Sequence, residues 1–218
     1  MWHASTVPTS SVVPGSSRTA TARTARSRRT RAALVAAVRD ELRANGGFTA
    51  ATVAARAGCS PATFYSHFGT KDDALTAAFA QTLDDLVDNT RSDLTVDTIS
   101  AAGTASAIAE FVERQAEFFR VESLVFRTAL SRLSDHRPLR EAYRRAEGRT
   151  LDHLRTLFAE LERREVIATA APDRLAEAFM IASQGLNNPR ALRPDAVDLR
   201  RSLATGLGAM LEGTRGHR

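Results

Sequence analysis

The sequence predicts an all-α protein, with a small N-terminal unit of three helices leading into a helical bundle. Three observations carry that reading. From Leu34 onward apolar residues recur three and four positions apart, the period of a helix with one buried face. No stretch alternates apolar and polar residues with the period of two that a half-buried strand requires. The periodic runs are separated by helix stops and starts at Asn45-Gly46-Gly47, Gly58, Ser60-Pro61, Gly69 and Asn187-Asn188-Pro189.

Composition narrows the class. At 218 residues, 43% hydrophobic and 25% charged, the chain has the make-up of a globular protein of one or two domains with a sizeable core. No uncharged apolar run approaches the roughly 18 residues that span a bilayer, so no membrane partner is expected. The single cysteine, Cys59, can form neither an internal disulfide nor a Cys-rich metal site, which fits a reducing, cytoplasmic setting. Lying in a turn after Gly58, it reads as a small packing residue rather than a redox sensor. The net charge of +5 is unevenly spread: Arg18, Arg23, Arg26, Arg28, Arg29 and Arg31 lie in the first 31 residues, which hold no acid. The rest of the chain therefore carries about −1, and the basicity belongs to the N-terminal arm. Lys71 is the only lysine.

Residues 1–29 are rich in Ser, Thr, Pro, Ala and Arg and show no hydrophobic period, so they are expected to form a disordered arm. They lack the apolar segment of a secretory signal, although the Arg- and Ser/Thr-rich, acid-free composition is similar to that of a transit peptide. A first helix is expected from about Arg31 to Ala44, capped by Thr30, with Leu34, Val35, Val38 and Leu42 on one stripe. A helix from Asp72 or Asp73 to Val87 carries Leu75, Phe79, Leu83 and Leu86, with both aspartates favoured by the dipole of its first turn. Residues 88–103 read as a helix tail and loop. Four further runs are expected to be helical: Ala105–Arg120, Glu122–Leu133, Pro138–Glu165 and about Asp173 to Gly185, the last with Leu175, Phe179 and Ala182 inward. A final helix from about Asp195 to Leu211 carries Leu199, Leu203, Leu207, Met210 and Leu211.

Between the first helix and the one at Asp72 lies the stretch from Thr49 to Lys71, TAATVAARAGCSPATFYSHFGTK. Ala51, Val53, Ala54 and Ala57 give one short apolar face, and Phe64 and Phe68 a second at i, i+4 spacing. Ser60 can accept from the free amides of a first turn, and Pro61 loses nothing at the first helical position. Two helices of about two turns joined by a Gly-containing turn describe a helix-turn-helix. With both phenylalanines inward, Ser60, Pro61, Ala62, Thr63, Tyr65 and Ser66 are left on the outer face. Thr49 can cap the start of the preceding helix, whose amides also attract phosphate.

These residues resemble the DNA-binding domain of TetR-family transcriptional regulators. The likeness is dense from about Thr30 to Phe79: Ala54-Ala55, Ala57-Gly58, Ser60, Thr63-Phe64-Tyr65, His67-Phe68, Lys71 and Leu75 stand at the family's spacing. Beyond about residue 88 it is architectural only. The resemblance implies a DNA-binding domain at residues 30–75 and a ligand-binding and dimerisation domain at residues 76–214. It implies double-stranded DNA as partner, a repressor that binds a palindromic operator as a dimer, and release by an unidentified small-molecule effector. It places Tyr65, His67 and Lys71 on phosphates and Pro61, Ala62, Thr63 and Ser66 nearest base edges. Each has a plainer alternative: Tyr65 as cover for the core's edge, His67 as a cap of its own helix, Thr49 as an N-cap only. The arginine arm is open between phosphate or minor-groove contact and an inert solvated tail.

The third helix lacks Arg, Lys, Asn and Gln, the side chains that make bidentate base contacts, so specificity must lean on hydroxyls, thymine methyls and DNA shape. In the body, Phe111, Phe118, Phe119, Phe126, Tyr143 and Phe158 are the candidates for an apolar effector cavity, with most of them expected simply to be core. The amphipathic segments 173–185 and 195–211 are the candidate homodimer face, with Gly206 and Gly208 permitting close approach. No catalytic, cofactor or metal motif is present: there is no His-Glu-x-x-His, no cysteine pair and no phosphate loop. His67 with Asp72 and Asp73 is better explained by phosphate contact and helix capping than by a metal. The competing reading is a helical small-molecule-binding protein whose DNA-binding unit is vestigial.

Overall fold

The computed structural model describes residues 16–168 and 171–212, with side chains described from residue 23. Ten α-helices follow in order: α1 Ser16–Asn45, α2 Ala50–Arg56, α3 Pro61–His67, α4 Lys71–Asp93, α5 Val96–Ala102, α6 Thr104–Val121, α7 Ser123–Leu130, α8 Arg137–Arg163, α9 Pro172–Gln184 and α10 Val197–Glu212. A single 3₁₀ turn at Gly185–Asn187 follows α9, and there is no strand among the described residues. The all-α expectation therefore holds.

One continuous apolar cluster runs from Leu34 in α1 to Leu211 in α10. Its N-terminal part is the core of the three-helix unit, with Leu34, Val38, Leu42, Val53, Phe64, Phe68 and Leu75 all buried. Burial of this face, more than intrinsic propensity, stabilises helices as short as α2 and α3. In the body α4 packs on α8, α8 on α9, and α10 on α6, while α1 lies against α4 and α7. The aromatic centre is Phe79, edge-on to Phe126 at 5.5 Å and stacked on Tyr143 at 6.4 Å between centroids.

Several expectations need correction. The arm expected to be disordered through residue 29 is helical from Ser16, and residues 1–15 lie outside the described residues. Its Ala and Arg residues favour helix, and extending from the packed segment around Leu34 avoids a second nucleation. Thr30 is consequently no N-cap; its hydroxyl donates to Arg26 O, one turn back within α1, at 3.1 Å. The loop expected at residues 88–103 contains the end of α4 and all of α5. Thr95 and Thr98 cap α5 reciprocally, each hydroxyl accepting from the other's amide at 3.0 and 2.9 Å, and Ile99 anchors it in the core. Ala51 faces solvent and Ala50 takes its place inside, because α2 starts one residue after its cap at Thr49. Ala182 is also exposed.

The imidazole of His153 in α8 donates from Nε2 to Leu94 O at 2.9 Å, tying α8 to the end of α4. Burial first, and Arg91 nearby, push its pKa below the ordinary 6.5, against the opposing effect of the bond to Leu94. The folded state thus resists protonation that the unfolded chain accepts, so stability is complete above about pH 6.5 and declines as pH falls below it. Asp93, raised by burial, acts in the opposite sense at lower pH. Urea denaturation between about pH 7.5 and 5.5 is therefore expected to show stability declining toward the acid side. In His153→Gln that part of the slope disappears.

Candidate nucleic-acid interface and internal cavity

The helix-turn-helix is built by caps. Thr49 and Thr52 form a reciprocal capping box at the start of α2, both cap bonds 3.1 Å long. The chain leaves α2 through Ala57-Gly58-Cys59, where Gly58 sits at φ +66°, a conformation that any side chain would strain. Cys59 N donates to Ala54 O at 2.9 Å, and Cys59 packs half-buried against the core. Ser60 then caps α3, its Oγ accepting from Thr63 N at 3.2 Å, with Pro61 in the first turn. Phe64 and Phe68, fully buried with centroids 5.4 Å apart, fix the roll of α3 about its axis.

That roll sets the outer face. Ser60, Pro61, Ala62, Tyr65 and Ser66 are exposed, Thr63 and His67 half-buried at its edge, and Thr49 exposed at the head of α2. Tyr65 is 54% exposed while its ring meets Phe64 edge-on at 5.2 Å, so it rests on the core's edge with much of its side chain open to solvent. Lys71 opens α4, exposed, with Nζ 5.2 Å from the centre of the Phe48 ring. Thr70 and Asp73 close a capping box around it, so the lysine projects from a fixed helix start. The structure thus brings all nine sequence-predicted residues to the surface of one small unit. It adds what the sequence reading missed: a groove between the α1 extension and the motif, with Arg23, Arg26 and Arg29 on one side and Thr63 and His67 on the other. Arg31 lies over the Phe68 ring at 4.6 Å. On the inner side Arg56 holds α2 to α1 through Glu41 at 2.6 Å, and this hydrogen bond keeps the Glu41 carboxyl below its usual pKa.

A cavity of about 100 Å³ lies in the body between α4, α6, α7, α8 and α9. Phe111, Phe119, Phe126 and Tyr143 line it, as do Leu83, Leu86, Val87 and Thr90 of α4. Phe118 and Phe158 do not. Phe158 stands behind the wall, edge-on to Phe179 at 5.4 Å, and half-buried Phe118 lies 6.5 Å from Phe126. Phe179, Met180, Gln115 and Glu147 also line it and were not among the candidates. For Gln115 the signal was present in the sequence, as the one polar residue on the apolar stripe Ile108, Phe111, Val112, Phe119. Burial first, and then the neighbouring Glu147 carboxylate, raise the pKa of Tyr143, which stays protonated.

An ion cluster joins the two units. Glu122, buried between α6 and α7, accepts on Oε1 from Arg39 Nη2 at 2.6 Å and from Arg43 Nε at 3.0 Å, both on α1. Arg39 also pairs with Asp85 of α4. Burial opposes the Arg39 charge, but its bonds to Glu122 and Asp85 outweigh that and raise its pKa. Among the described residues, no group of three or more His, Cys, Asp or Glu side chains could hold a metal, and no helix is long and apolar enough to cross a membrane.

An exposed third helix capped by Ser60-Pro61, with a fixed lysine and a basic groove beside it, defines a helix-turn-helix DNA-binding protein. Residues 41–78 match the family model of bacterial regulatory proteins of the tetR family, a span that contains both helices of the motif. The motif therefore matches the DNA-binding segment of tetR-family regulatory proteins, and a DNA-binding transcriptional regulator is the class it supports. The fold agrees. A Mesorhizobium loti protein assigned to the TetR family superposes with a TM-score of 0.70 at 19% identity, over 85% of this chain and 96% of that one. A TetR transcription regulator from Haloarcula marismortui gives 0.65 at 17%, over 82% and 96%. The TetR-family regulator PfmR from Thermus thermophilus gives 0.56 at 21%, over 78% and 91%. No curated protein matches the sequence.

Removing the shared acceptor leaves Arg39 with Asp85 alone and Arg43 with Asp40 alone beside a vacated buried site, so Glu122→Ala is expected to cost roughly 3 kcal/mol of stability in urea denaturation. Glu117→Ala, which breaks an exposed pair with Arg120, is expected to leave the urea midpoint almost unchanged, because water screens that pair.

Proposed function

We propose that this regulator is a repressor that binds a palindromic operator as a homodimer and is released by a small effector taken into the body. The observation that carries the reading is α4. Its first turn holds Lys71 four residues past the end of α3, and its far half supplies Leu83, Leu86, Val87 and Thr90 to the cavity wall. Whatever reshapes the cavity acts on the rod that carries the DNA-binding unit. Two copies related by a two-fold axis present their α3 helices to successive major grooves, about 34–36 Å apart. An effector releases DNA only to the extent that it binds better to the conformer in which that spacing is wrong.

On DNA, Tyr65, His67 and Lys71 serve as phosphate contacts, with Thr49 and the α2 amides beside them. Pro61, Ala62, Thr63 and Ser66 face the base edges. The Ser66 hydroxyl already donates to Thr63 O at 2.7 Å, and Ser60 Oγ meets Thr63 Oγ1 at 3.0 Å. Such a surface offers methyls and hydroxyls, and affinity rests mainly on the backbone. Arg23, Arg26 and Arg29 supplement it from the helical extension. A mobility-shift titration on the gene's own promoter region tests this. For Arg23, Arg26 and Arg29 replaced together by Gln, the slope of log K against log salt is expected to flatten by about 0.9 for each phosphate these arginines neutralise. An unchanged slope removes the arm from the interface. No shift at any salt concentration favours the vestigial alternative.

The dimer face is assigned to α9 and α10. Ile181 is 65% exposed between exposed Ala178 and Ala182, and Val197 and Leu199 of α10 are 45% and 41% exposed. Gly206 is exposed and permits close approach, whereas Gly208 is buried and turns inward. Sedimentation equilibrium at micromolar concentration is expected to show a dimer that Ile181→Glu converts to a folded monomer. A monomeric unsubstituted chain would sink the assignment.

A further inference from the structure

We propose that the cavity selects a single-ring apolar molecule bearing a hydrogen-bond donor, an aromatic alcohol or amine, and that Gln115 and Glu147 read that donor. The inference rests on the reading of the cavity as the effector site. Size comes first: about 100 Å³ is on the scale of cavities that take a single aromatic ring. The walls are aromatic, with Phe111, Phe119, Phe126 and Phe179 on three helices.

Polarity comes second. Gln115 is 3% exposed and its Nε2 donates to Thr90 Oγ1 at 3.0 Å. The Thr90 hydroxyl proton is already committed to Leu86 O at 2.9 Å. The Gln115 atom facing Thr90 must therefore be the donating nitrogen, which fixes the amide's orientation. Its Oε1 is left buried without a hydrogen-bond partner among the described residues. A buried acceptor without a donor is costly, and a ligand hydroxyl or amine relieves that cost. The second acceptor is the Glu147 carboxylate on the same cavity, which takes Gln184 Nε2 at 3.0 Å and the Tyr143 hydroxyl and has lone pairs left for a ligand donor. Among the described residues no Lys, Arg or His lines the cavity, so an anionic ligand would find a carboxylate and no counter-charge.

The test is titration calorimetry on the full chain with phenol, benzylamine, toluene and benzoate. Phenol and benzylamine are expected to bind at least about tenfold more tightly than toluene, with benzoate weakest. Gln115→Leu is expected to erase the advantage of phenol over toluene, and Glu147→Gln to weaken benzylamine more than phenol. Toluene binding as well as phenol to the unsubstituted chain, or benzoate binding best, overturns the donor inference and leaves the cavity as an effector site. Absence of binding by all four overturns both. The ranking on the unsubstituted chain decides by itself should either variant fail to fold.

Discussion

The Glu122 carboxylate is the point on which the two halves of this protein depend. It lies 1% exposed where α6 meets α7, and its charged partners, Arg39 and Arg43, come from α1 in the DNA-binding unit. A carboxylate so far from water is tolerable only if cations and hydrogen bonds replace the lost hydration. Here two guanidinium groups converge on one oxygen, and Asp85 of α4 balances the excess charge on Arg39. The cluster therefore specifies one relative position of α1, α4 and the α6–α7 corner. A looser apolar contact at the same place would tolerate several. Thr128 of α7, donating to Gly46 O at 2.9 Å, fastens the other end of the same seam.

Helix α4 gives that position mechanical reach. Its 23 residues span roughly 34 Å, with no break between Lys71 and Asp93. The expected division at residue 75 lies within this helix, as it does within the helix expected from Asp72 or Asp73, so the two units share one continuous element. Leu75 packs in the N-terminal core, Phe79 faces Phe126 and Tyr143, and Thr90 reaches the cavity.

How much of this was legible in the sequence follows from the range of each interaction. The motif from Thr49 to Lys71 was readable because caps, the Gly58 turn and the Phe64–Phe68 pair act within four residues, and its exposed face then follows from helical periodicity. Phe111, Phe119, Phe126 and Tyr143 line the cavity because large aromatics on apolar stripes go inward. Phe158 shows the limit: the same pattern cannot separate a ring lining a void from one behind the wall. The arm misled because its composition argued against a core, and it builds none. Residues 16–29 continue a helix nucleated by burial further along, a tertiary cause with no local mark. Glu122 was invisible for the same reason, since its partners lie 83 and 79 positions away.

On the proposed mechanism, the position of Glu122 in the chain supplies the coupling. It stands three residues after Phe119 and four before Phe126, and both rings line the cavity, 5.1 Å apart between centroids. A ligand in this cavity would lie against these two rings, among the other lining residues. The two rings flank the residue that holds α1, so a shift at the α6–α7 corner strains the ion cluster directly. Moving a two-state equilibrium from 1:99 to 99:1 takes about 5.5 kcal/mol of differential binding. A strained cluster of buried charges lets part of that differential binding act on α1, because each lost bond leaves a charge that the interior does not solvate.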